Sequence, residues 1–143
     1  MKKVLSALLV IFCLFTIVSC TQTEPNDVRA KIKAEGYSTG LYEKGAEIEE
    51  VLDIFDITDY GVESVVVGYD EDDSSYMSFV YVMFCEDKKS ARLQESDCNA
   101  FIKNYLDDYL EYEDSDYSSK DYRVMRKGSI VYFGLKDMIN SIS

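Results

Sequence analysis

The sequence predicts an α+β fold: an antiparallel sheet of about four to five strands with helices packed on it. Three observations lead there. Strand-like segments are joined by short polar turns, which suit antiparallel pairing. Segments with apolar residues at helical spacing lie before, between and after them. One segment, 76–84, is apolar at nearly every position, as expected of a central strand covered on both faces. The 143 residues fit one domain, and 47% hydrophobic with 13% aromatic residues is too much for a disordered chain.

The elements follow in order. Asn26 suits a helix N-cap, Asp27 its first turn, and Val28, Ile32 and Ala34 its inner face. Gly36 suits the left-handed position that ends such a helix. Residues 37–42 read as a short strand. Ile48, Val51, Leu52 and Phe55 place a helix over 46–55, and Gly61 breaks the pattern. The β-branched run 63–69 and the apolar run 76–84 are strands joined by the polar loop Asp70 to Ser75. A long helical stretch covers 87–112, with an apolar stripe from Cys98 through Leu110 and a second start at Ser96. Residues 121–126 and 129–133 form a hairpin about Lys127-Gly128, and 135–142 is a closing helix. The chain carries no internal repeat and no long linker, so 27–143 reads as one α+β domain.

The first twenty residues have a different character. Lys2 and Lys3 precede fifteen mostly apolar residues, Val4 to Val18, short of the roughly 20 that cross a bilayer core. Ser19 and Cys20 follow, then a polar stretch. Ile17-Val18-Ser19-Cys20 resembles the lipobox of bacterial lipoproteins: an aliphatic residue, a small residue, then cysteine. The resemblance implies cleavage after Ser19, so that 1–19 is a signal peptide and 20–26 a short tether. It also implies that Cys20 carries a diacylglyceryl group with palmitate-type chains. Two chains at about 0.8 kcal/mol per buried CH₂ anchor stably. The expected location is extracytoplasmic, on the cell membrane. Losing Lys2 and Lys3 leaves 13 basic residues against 27 acidic ones, a mature charge of −14.

Composition excludes several functions. A net charge of −12 argues against a nucleic-acid partner. The absence of histidine removes Ser-His-Asp and Cys-His catalysis and histidine-ligated metals within one chain. No Gly-rich phosphate loop, Ser-x-x-Lys or Gly-x-Ser-x-Gly motif occurs.

Four constellations remain. Cys85 and Cys98 are a candidate disulfide if the helix breaks near 94–97; an unbroken helix would carry Cys98 roughly 16 Å along its axis. Asp70, Asp72 and Asp73 match the first oxygen positions of a calcium loop, but Ser75 and Tyr81 stand where glycine and glutamate are required. The acidic run 107–116 reads as the polar face and end of a helix. Twelve tyrosines suit either sheet packing or a binding face. The expected function is a lipid-anchored module that binds another envelope protein or a small ligand without catalysis. The alternatives are a small carboxylate-based envelope hydrolase and a Ca²⁺-responsive module.

Overall fold

A five-stranded antiparallel sheet organises the chain. The structure, a computed structural model, describes residues 22–43 and 45–143; the signal peptide and Cys20 expected above lie outside them. In chain order the elements are α1 (Pro25–Ala34), β1 (Ser38–Tyr42), α2 (Gly45–Asp53), β2 (Val62–Tyr69), β3 (Phe79–Cys85), α3 (Lys88–Asn104) and α4 (Leu106–Tyr112). A 3₁₀ turn (Ser119–Asp121), β4 (Tyr122–Lys127), β5 (Ile130–Leu135) and α5 (Lys136–Ile142) complete it. The strand order is β1-β2-β3-β5-β4, every pair antiparallel. The expected α+β class is the observed one, with five strands.

Strand register sorts the side chains onto two faces. Val65, Val67, Tyr81, Met83, Val131 and Phe133 share one face. Phe55, just after α2, Phe101 of α3 and Tyr109 of α4 close over it. Phe55 is the hub: its ring centroid lies 4.6 Å from Phe79, 5.3 Å from Phe101 and 5.7 Å from Phe133. Arg126 of β4 donates from Nε to Glu95 Oε2 of α3 at 2.8 Å, the only ion pair among the described residues.

The opposite face carries Val66, Gly68, Val80, Val82, Tyr132 and Gly134. Helices α1 and α5 cover its upper half. Lys31 Nζ of α1 donates to the Ile142 carbonyl of α5 at 3.1 Å, and Arg123 Nη2 of β4 donates to Asn140 Oδ1 at 2.6 Å. One glycine permits this helix approach, and a second permits the close packing of β5 on β3 beneath it. A Cβ on Gly68 would stand 2.8 Å from Ile32 Cγ2 of α1. At Gly134 the backbone has φ +146°, and a Cβ would meet the Phe79 carbonyl oxygen at 2.2 Å.

Three of the boundaries that differ from expectation have a clear local reason. Helix α1 starts at Pro25, ahead of Asn26: proline lacks the N–H that a first turn leaves unused, and the Glu24 N–H donates to Asp27 Oδ2. Strand β3 starts at Phe79, because Tyr76 takes φ +57° and points outward, 75% exposed. The long helix breaks at Tyr105 (φ −132°, ψ −24°), leaving Ser96 inside α3. Its middle is locked by the fully buried Gln94, whose Oε1 accepts from the Tyr60 N–H at 3.2 Å.

Candidate functional site

The lower half of the α1/α5 face is open. Strand β2 spans eight residues, roughly 27 Å, whereas the ten residues of α1 span roughly 15 Å and the seven of α5 less. Ser64, Phe84, Ile130 and Tyr132 are therefore left as the floor of a groove of about 630 Å³. Phe84 and Ile130 are half-buried; Tyr132 is buried, and burial raises its phenol pKa. One wall is the segment Gln22 to Pro25 that leads into α1. The rim carries Glu24 and Glu63 opposite in sign to Lys88 and Lys127. Neither lysine is in an ion pair among the described residues. The groove is thus charge-balanced, on a chain whose net charge is −12. Its size lies in the range of small-molecule sites, and its apolar floor with a few polar groups is their usual composition.

A second concavity of about 290 Å³ joins two acidic segments far apart in sequence. Asp70, Asp72, Asp73, Ser75 and Ser78 line one side, and Asp114, Asp116 and Tyr117 the other. Much of the loop's oxygen chemistry is already used. Asp73 Oδ1 accepts from the Ser75 N–H and hydroxyl at 2.9 and 2.7 Å, and its Oδ2 from the Ser78 N–H at 2.8 Å. Asp70 Oδ1 accepts from the Asp72 N–H at 2.9 Å. Burial would raise the Asp73 carboxyl, but the hydrogen bonds from Ser75 and Ser78 outweigh it and hold the pKa below its ordinary value. Among the described residues no three acidic or thiol side chains stand close enough together to hold a metal ion. The residues expected to bind calcium are brought together, but as a hydrogen-bonded turn.

The cysteines are free and buried. Helix α3 runs unbroken past 94–97, so the chain reversal that a Cys85–Cys98 disulfide called for is absent. Burial, then Asp59 and Asp87, pushes the Cys85 thiol up to about 12, and burial with Asp97 raises Cys98 as well. Neither is a nucleophile at neutral pH. Every carboxyl group with a resolved shift moves downward. Hydrogen bonds from Ser90 lower Asp87, and hydrogen bonds from Ser118 lower Asp121. A general acid requires the opposite direction.

The tyrosines divide. Tyr81 and Tyr122 are buried in packing, Tyr122 donating its hydroxyl to the Met77 carbonyl at 2.6 Å, while Tyr132 floors the groove. Sequence reasoning missed the groove because its residues are scattered over four strands and the starts of two helices. The available signal was the mismatch between two short helices and longer strands.

No protein-family model, no curated protein and no solved structure matches this chain.

Proposed function

We propose that this protein is a lipid-anchored, extracytoplasmic binding module without catalytic activity, and that its ligand is a short zwitterionic peptide seated in the groove. The groove carries the proposal. It combines an apolar floor, the hydroxyl-bearing Ser64 and Ser129, and paired charges of both signs on its rim. A peptide with free termini and an apolar side chain matches that set, whereas a purely anionic or cationic ligand would meet a like charge. The address is supported by the lipobox-like Ile17-Val18-Ser19-Cys20 and by the groove wall beginning two residues after Cys20. Ligand capture then occurs beside the membrane. The hydrolase alternative lacks an acid with a raised pKa among the shifts described above. The Ca²⁺ alternative relies on Asp73, whose oxygens already serve its own loop.

Two measurements test the two halves. A clickable palmitate analogue should label the wild-type protein in bacterial cells and leave Cys20→Ser unlabelled and released from the membrane; equal labelling of both ends the lipoprotein assignment. For the ligand, saturation-transfer NMR with tri- and tetrapeptides should give signals that vanish when their termini are acetylated and amidated. The signals should also vanish in Lys88→Glu/Lys127→Glu. Peptides that bind equally well after capping, or no binding across the panel, overturn the groove assignment.

A further inference from the structure

A third concavity lies on the opposite face, where α3 breaks into α4. Phe55, Phe101, Tyr105 and Tyr109 wall a recess of about 130 Å³, closed by Asp56 and Asp97. The volume is that of about four waters, enough for one small head group. The rings meet at steep angles: Phe101 and Tyr109 at 68° and 5.3 Å, Phe55 and Tyr109 at 55° and 6.0 Å. Tyr105 stands beside Phe101 at 6.4 Å and is 57% exposed. The break at Tyr105 puts this ring at the mouth.

Two carboxylates share the rim. Asp97 Oδ2 accepts from the Thr58 N–H at 2.9 Å, leaving its other oxygen without a hydrogen bond among the described residues. Asp56 sits at φ +52°, a backbone glycine would adopt more easily, and its carboxylate accepts no hydrogen bond among the described residues. The adjoining shelf adds Glu49, Asp53 and Asp59. No lysine or arginine lines either the recess or the shelf. Aromatic faces attract cations through their quadrupoles, and a ring of carboxylates adds a field of the same sense. A hydrated metal ion would gain little from ring walls; a poorly hydrated organic cation gains from both.

We propose that the recess walled by Phe55, Phe101, Tyr105 and Tyr109 binds a quaternary ammonium group. It is separate from the groove and does not rest on the function proposed above.

The test titrates choline into the purified full chain while following the aromatic ring protons by NMR. Its neutral isostere, 3,3-dimethylbutan-1-ol, is titrated in parallel. Saturable shifts at Phe101, Tyr105 and Tyr109 are expected for choline, with the isostere binding at least about fivefold more weakly. Tyr105→Ala should weaken choline about fivefold while leaving the melting temperature unchanged, since the ring is mostly exposed. Asp56→Asn/Asp97→Asn should weaken choline and leave the isostere unaffected. The proposal fails if the isostere binds as well as choline, if the shifts do not saturate, or if Tyr105→Ala binds like wild type. Lys88→Glu/Lys127→Glu, which alters only the groove, should bind choline as wild type does.

Discussion

The two faces of the sheet are built on different plans. One is closed by α2, α3 and α4 with interlocking aromatic rings. The other is closed only halfway, by two short helices, α1 packing closely over Gly68. Large rings fill most of the space, so that face supplies stability and leaves only a small recess. Small residues admit helix backbones, and where the helices end the sheet is open. The tighter aromatic packing and the larger concavity thereby fall on different sides of the same strands.

Mutations can break this division. The largest loss is expected from Phe55→Ala, about 4 kcal/mol by urea denaturation, because the hub ring leaves a cavity among β3, β5, α3 and α4. Phe84→Ala, a groove-floor residue of similar size, should cost less than half as much. Equal costs would mean that the two faces are not different in kind. Next comes Gly134→Ala, expected to cost about 3 kcal/mol, since the added carbon meets strand backbone that cannot yield cheaply. A cost within experimental error would show that the β3 and β5 backbones shift apart freely at this point.

Asp73→Ala should be milder, about 1.5 kcal/mol at pH 7. Its pH dependence has a definite sign. The folded carboxyl is held below its unfolded value, so its stabilisation is present above about pH 4 and fades as pH falls through the folded pKa. The gap between wild type and Asp73→Ala should therefore narrow in acid; a constant gap would mean that the turn does not depend on the charge. The smallest effect belongs to Lys31→Met, under about 1 kcal/mol, since the lost bond to the Ile142 carbonyl is only partly buried.

Much of the fold was legible because its signals are local. The runs 63–69 and 76–84 announced the central strands, and Lys127-Gly128 announced the β4–β5 turn, where Gly128 has φ +62°. The strand start at Phe79 was not legible, since it depends on Asp73 reaching forward to Ser78 across five residues. The unbroken middle of α3 depends on Gln94 accepting from Tyr60, 34 residues away. Both candidate binding regions were hidden for the same reason. Lys88 and Ile130, or Phe55 and Tyr105, become neighbours only through strand order and the helix break. The Asp70 loop shows the converse. Its composition suggested a cation site, and oxygens of Asp70 and Asp73 bind their own loop.

That Arg126–Glu95 is the single ion pair among the described residues has a consequence in ionic strength. With 27 acidic residues and 15 basic ones, the excess of like charge on this chain is negative, so its net self-interaction includes repulsion between carboxylates. Added salt can weaken one attraction but relieves many repulsions, over a screening length of about 10 Å at 0.1 M. Counter-ions thus act on this protein as a stabilising component, drawn closest to the folded state because its charges are packed most densely there.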